Sequence, residues 1–226
     1  MPSFLYYKLL EACREPGCPA CQLEQQSVER YLDNQFYENV NSPRWREHLR
    51  GSQAFCHEHV WLAVNKRLGD ALGFSIIYHD VVNSLLRAMS AKEAGTGKRV
   101  SVRERVEDWL SALKPKKRCP ACDYSDQTRR DLLAALVDDL RTPEMTEALA
   151  ASEGLCLPHL QALLGQIKDE ALFEKLFTIQ RTRMETLRDE LAEFIRKNDY
   201  QAIEEGFGSE GDAWLRAIGL VAGKRK

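Results

Sequence analysis

The sequence predicts an all-α protein of two tandem pseudo-repeats packed as a helical bundle, and three observations carry that expectation. Apolar residues recur mostly at spacings of three and four, with few β-branched alternating runs. A Cys-Pro-Ala-Cys string at Cys18–Cys21 returns at Cys119–Cys122, 101 positions later. A Cys-x-x-His string at Cys56–His59 returns at Cys156–His159, 100 positions later, and Pro43 and Ala71-Leu72 match Pro143 and Ala171-Leu172 at that same offset. A shared offset over such a span is the signature of a duplicated unit.

Taken in order, a leading helix is expected over residues 3–13 and a second one after the first cysteine pair, with Leu23, Val28, Tyr31 and Leu32 on its apolar face. Ala71, Leu72, Ile77, Val81, Val82, Leu85 and Met89 trace a later helix. These make up a first repeat over residues 1–91. Residues 92–101 carry two glycines and several charges, as a linker would. The second repeat, 102–198, begins with a helix near 102–114. A helix with Leu132, Leu133, Leu136 and Leu140 follows, then a long one over 168–198 through Leu172, Leu176, Ile179, Met184, Leu187, Leu191 and Phe194. A tail over 199–226 holds glycines at 206, 208 and 211 before a short helix with Trp214, Leu215, Ile218 and Leu220. With Tyr200, Phe207 and Trp214 it is expected to fold back on the bundle as a cap, docking on a partner being the alternative.

The chain has 226 residues with 32 basic and 34 acidic side chains, so its overall charge gives no reason to expect a polyanionic partner. The basic residues Lys98, Arg99, Arg103 and Arg105 and the run Lys114–Arg118 are diluted by Glu104, Glu107 and Asp108. Nucleic-acid binding is not expected. The N-terminus does not read as a signal peptide, and no stretch approaches the run of about 18 apolar residues a membrane helix needs. A cytoplasmic location is the expectation. Seven cysteines, an odd number, then point to metal ligation rather than disulfides.

Each repeat offers three cysteines and one histidine, the closed ligand set of a structural zinc site. The expected quartets are Cys18, Cys21, Cys56 and His59 in the first repeat, and Cys119, Cys122, Cys156 and His159 in the second, for two zinc ions per chain. Proline after the first cysteine suits the first position of a helix. A thiolate there meets the positive end of the helix dipole, which favours the deprotonated form metals require. His59, not His57, is the expected ligand, because the second repeat has His159 at the one position and Leu157 at the other. Cys13 meets Lys114 in the second repeat and is expected to be a buried spare thiol. The basic run Lys114–Arg118 either offsets the charge of the neighbouring thiolates or is a solvated loop, the plainer reading.

Other uses of these cysteines fit less well. Thioredoxin-like chemistry needs a strand-to-helix context. Covalent haem attachment needs histidine directly after the second cysteine, where Gln22 and Asp123 stand. An iron–sulfur cluster on the same ligands stays open as the alternative.

The motifs Cys18-Pro-Ala-Cys21, Phe55-Cys56-x-x-His59-Val-Trp61, Gly69–Gly73 through Ile77-Tyr78-x-Asp80, and Gly154-Leu-Cys-Leu-Pro-His-Leu160 resemble an uncharacterised bacterial family of duplicated helical proteins with paired Cys-Pro-x-Cys and Cys-x-x-His motifs. The tail residues Arg196–Tyr200, Asp212-Ala-Trp214 and Ala217 look like that family as well. The resemblance spans nearly the whole chain and implies the same architecture and ligands. It implies no activity.

No phosphate loop, nucleophile elbow or dinucleotide fingerprint occurs. Tyr78-His79-Asp80 is the one string that could supply a base with an orienting carboxylate, and Glu58 reads as an exposed helix charge. A scaffold or interaction module is therefore the leading expectation, its partner unknown and a protein one candidate. A redox or iron–sulfur protein and an unrecognised metal-dependent enzyme are the alternatives.

Overall fold

The computed structural model describes residues 3–94, 101–200 and 202–223. Among these, eleven α-helices and two short 3₁₀ turns are formed and no strand. The helices are α1 (Phe4–Ala12), α2 (Pro19–Tyr37), α3 (Pro43–Ser52), α4 (His57–Asn65), α5 (Ala71–Ala94), α6 (Val102–Leu113), α7 (Pro120–Asp139), α8 (Pro143–Ala151), α9 (Leu157–Leu164), α10 (Glu170–Lys197) and α11 (Ala213–Ala222). The protein is all-helical, as the periodicity predicts. The linker expected at 92–101, with Lys98 and Arg99, falls largely outside the described residues.

Local chemistry sets the helix starts. Ser3, Ser42, Thr142 and Asp169 each accept a hydrogen bond from the backbone N–H three residues on, satisfying a donor the helix itself leaves free. Ser101 and Glu104 form a reciprocal capping box at α6. Cys56 and Cys156 occupy the N-cap positions of α4 and α9, and Pro19 and Pro120 open α2 and α7. All four cysteine-bearing strings therefore sit at helix starts.

The chain divides into two compact units. One comprises Met1–Gln26 with Gln127–Arg225, the other Ser27–Asp126, so the divisions fall inside α2 and α7. These units are not the sequential stretches 1–91 and 102–198. The first has a leucine-rich core in which Leu9, Leu133, Leu136, Leu140, Leu149, Leu155, Leu163 and Leu176 are fully buried. Each such side chain contributes roughly 2 kcal/mol through removal of its apolar surface from water. Tyr6 donates its hydroxyl to Glu144 at 2.7 Å and fastens α1 to α8. The second unit is built around Phe36, whose ring stacks on Phe74 at 3.7 Å and leans on Phe55 at 5.0 Å. Gly69 and Gly73 allow that packing: a Cβ at Gly73 would stand 2.1 Å from the Phe36 carbonyl oxygen.

Two of the apolar faces traced in the sequence are less covered than their periodicity suggests. Leu72 and Val82 are exposed on α5. The half of the α10 stripe from Met184 to Phe194 is only half-buried. The helix α6 buries none of its residues and exposes Val102, Val106 and Leu110. The tail does fold back: a 3₁₀ turn at Ser209–Asp212 and helix α11 pack on α10, and α11 also reaches α9. Trp214, Phe207 and Tyr200 nonetheless remain exposed.

Candidate metal centres

All eight predicted ligands come together, but in exchanged partnership. Cys18 and Cys21 meet Cys156 and His159 in the first unit, and Cys119 and Cys122 meet Cys56 and His59 in the second. Within each set the ligand atoms all lie within 4.8 Å of one another. The quartets expected within each sequential repeat are thus corrected: the Cys-Pro-Ala-Cys turn of one half joins the Cys-x-x-His turn of the other. Spacing specifies which residues share a turn. It does not specify which turns meet.

The two sets have nearly the same dimensions. In the first, the Cys21 and Cys156 sulfurs are 3.6 Å apart, and the His159 Nδ1 lies 3.1, 3.4 and 3.7 Å from Cys156, Cys21 and Cys18. In the second, Cys56 and Cys122 are 3.6 Å apart, and the His59 Nδ1 lies 3.1, 3.4 and 3.8 Å from Cys56, Cys122 and Cys119. A tetrahedral ion with sulfur ligands at about 2.3 Å and a nitrogen ligand near 2.1 Å requires edges of about 3.8 Å between sulfurs and about 3.6 Å from nitrogen to sulfur. The separations found lie near those edges, so each donor set could hold one such ion. Their chemistry, three thiols and an imidazole, suits a borderline-soft divalent cation.

The electrostatics favour a cation in both places. Hydrogen bonds to Cys156 and Cys21, together with burial, push the Cys18 thiol far above its ordinary range. Burial and the neighbouring Cys119 and Cys56 push Cys122 up to about 12. Burial opposes charge on His159, yet the Cys156 and Cys21 sulfurs and Glu24 raise it to about 11. Crowded sulfurs resist joint ionisation, and in the first set the Cys156 and Cys21 sulfurs draw positive charge to His159. A divalent cation meets that demand by replacing the protons.

The backbone holds the ligand turns firmly. Gly154, at φ +78°, leads into Cys156, and Gln180 brackets the intervening Leu155, accepting from its N–H at 3.0 Å and donating to its carbonyl at 2.8 Å. In the second unit Gln53 and Ala54, both at positive φ, precede Phe55 and Cys56, and the Ser52 hydroxyl donates to the Ala54 carbonyl. At the first centre the backbone at Gly223 lies against the cluster, where a Cβ would stand 3.6 Å from the Cys156 sulfur and 3.7 Å from that of Cys21. A cavity of about 560 Å³ adjoins this centre, with Cys13, Cys18, Cys156, Arg183, Glu190 and Arg216 in its wall.

Residues outside the quartets also find their places. Cys13 is buried in the leucine core, where burial pushes its thiol up to about 11, and it belongs to neither set. His57 is exposed, its ring 6.4 Å from that of Trp61. Asp80 does not orient His79, because its carboxylate is held by Arg50 at 2.6 Å and Arg46 at 3.2 Å. Lys114–Arg118 is an exposed segment in which Arg118 pairs with Asp123 and Asp126 rather than with the thiolates.

One residue in direct contact with the candidate site was missed from the sequence. Glu24 is buried, accepts from the His159 Nε2 at 2.9 Å, and pairs with Arg129 at 3.2 Å. The signal was present: Cys21, Glu24 and Val28 recur at three and four, placing a carboxylate on an apolar helix face beside a ligand.

The fold and these two sites define an all-helical protein with two centres of three cysteines and one histidine that could hold metal. The chain belongs to DUF6062, a family of unknown function, which it matches over residues 8–226. It is also 22% identical over 223 residues to a protein of Caldicellulosiruptor sp. (strain Rt8B.4) described as "Uncharacterized 23.9 kDa protein in xynA 3'region", covering 95% of this chain and 99% of that one. No solved structure matches.

Proposed function

We propose that the chain is a duplicated zinc protein that binds two ions with structural roles and serves as a scaffold or interaction module in the cytoplasm. The observation that carries this reading is the pair of four-donor sets, in each of which the donor atoms lie within 4.8 Å of one another, close enough to meet on a single ion. Four protein donors fill such an ion, leaving no open position of the kind a catalytic zinc keeps. The duplication is supported by the sequence offsets and by helix starts at Pro19 and Pro120, Pro43 and Pro143, and His57 and Leu157. Among the described residues no helix is long and apolar enough to cross a membrane. Exposed Val102, Val106 and Leu110 on α6 support contact with a protein partner over catalysis.

Two other readings compete. An iron–sulfur protein would use the same ligands, but a multi-iron cluster interposes its own sulfides and spreads the protein donors beyond the edges found here. A metal-dependent enzyme draws on the cavity beside Cys18 and Cys156. Anaerobic purification followed by elemental analysis decides between metals. A colourless protein with two zinc ions per chain agrees with the proposal; a brown, iron-loaded one sinks it.

A further inference from the structure

Near the first centre, one charged side chain outside the quartet is built into the site. Glu24 lies one helical turn beyond Cys21 on α2, only 5% exposed, and its Oε2 is 2.9 Å from the His159 Nε2. Its two oxygens face the Arg129 guanidinium of α7 at 3.2 and 3.3 Å. A buried carboxylate is costly unless paired, so this one is held in place by an imidazole on one side and a guanidinium on the other. In the second unit the residue one turn beyond Cys122 is Ser125, also buried, whose hydroxyl is neutral.

We infer that Glu24 is a positioning residue for the first metal centre: it takes the Nε2–H of His159, fixes the tautomer that leaves Nδ1 as the ligand atom, and thereby strengthens metal retention there. This inference rests on the zinc reading above. Nδ1 is the ring nitrogen that faces the three sulfurs, so Nε2 must carry the proton once a metal is bound. A carboxylate accepting that proton orients the ring and makes Nδ1 a better donor. Glu24 also links three helices through one centre: α9 through His159, α7 through Arg129, and α2 on which it stands with Cys18 and Cys21 at the start. Ser125 offers no charge at the matching position, so the effect is confined to one of the two ions.

The test uses full-length zinc-loaded protein, competed against a chromophoric chelator, with proton–nitrogen spectra of the histidine side chains recorded in parallel. Glu24→Gln keeps the shape and removes the charge; Glu24→Ala removes both. Each is expected to weaken one of the two ions by roughly 10–100-fold and leave the other unchanged. The His159 Nε2–H signal moves upfield in the same variants. Arg129→Gln, which leaves the carboxylate on the imidazole, retains most of the affinity and the downfield proton. Unchanged competition and an unmoved His159 signal in both Glu24 variants would overturn the inference, as would equal weakening of both ions. A wild-type protein that loads two ions of another metal ends the zinc reading alone, and the same comparison is then made on that metal. A wild type that loads none overturns both.

Discussion

Cys21 and Cys156 stand 135 positions apart in the chain and bring their sulfurs to 3.6 Å. Cys56 and Cys122 do the same across 66 positions. Each centre therefore closes a long loop, and the two loops overlap in sequence. Cross-links that close long loops remove the most freedom from the unfolded chain. A metal at each point would clip the early part of the sequence to the late part, which a centre confined to one half could not do.

The exchange makes a specific prediction for ligand variants. Cys56→Ser is expected to lose about one metal equivalent and to expose Cys119 and Cys122 to alkylation, while Cys18, Cys21 and Cys156 stay protected. His159→Ala should give the converse pattern, and Cys13→Ser should leave the metal content unchanged. Mass spectrometry of alkylated peptides reads the outcome. Exposure of Cys18 and Cys21 in the Cys56 variant would contradict the observed partnership.

Metal removal should act at the helix starts. Because ligands sit at or beside the first turns of α2, α4, α7 and α9, stripping the metal with a chelator is expected to lower helicity. Hydrogen exchange should quicken first in those turns. The leucine core formed by α8 and α10, with Met145, Leu149, Leu172 and Leu176 buried, should retain protection longest. Uniform loss of protection across the first unit would indicate that the core does not outlast its metal.

Much of this arrangement was legible in the sequence. The eight candidate donors were identifiable from repeated spacing, and the choice of His59 over His57 followed from Leu157 and His159. Local patterns fix what shares a turn or a helix face, so helix starts at Pro19 and Pro120 were equally readable. Which turns meet depends on how distant helices pack, and no local spacing encodes that. The same limit explains α6: its apolar stripe at Val102, Val106 and Leu110 announces a helix but does not say that the face remains uncovered. Glu24 was overlooked for a different reason. A lone carboxylate on an apolar face looks like a solvated charge until its imidazole partner, 135 positions away, is in view.

At Gly154 backbone conformation leads directly into the candidate donor Cys156. Its φ of +78° is one L side chains rarely adopt, and a Cβ there would stand 3.0 Å from the Gln180 Oε1, the atom that receives the Leu155 N–H. Gly154→Ala is expected to cost more than about 1 kcal/mol, because strain and a disturbed Gln180 add. Gly219→Ala, inside α11 with nothing within 4 Å of the new carbon, should instead be neutral or stabilise by up to about 1 kcal/mol. Denaturant melts of both variants supply the comparison, and equal effects would remove Gly154 from the argument.

Acid should release the tail through Glu210. This carboxylate receives Lys197 at 2.7 Å and the Gly208 N–H at 2.8 Å, joining the turn before α11 to the end of α10. Those partners, Lys197 foremost, lower it to about 2, well below the ordinary glutamate value. A group whose folded value is depressed binds its proton more readily when released. Its contribution is therefore complete above the ordinary glutamate value, near 4.3, and is lost as the pH falls through that value toward about 2. Glu210→Gln should loosen α11 by the same amount at every pH above that window, and the difference from wild type should shrink inside it. Hydrogen exchange of the Ala213–Ala222 amides, followed from neutral pH downward in both proteins, measures the difference. A gap that widens with acid would mean that the Glu210 carboxylate gains its partners only when protonated, the reverse of what its contacts with Lys197 and Gly208 require.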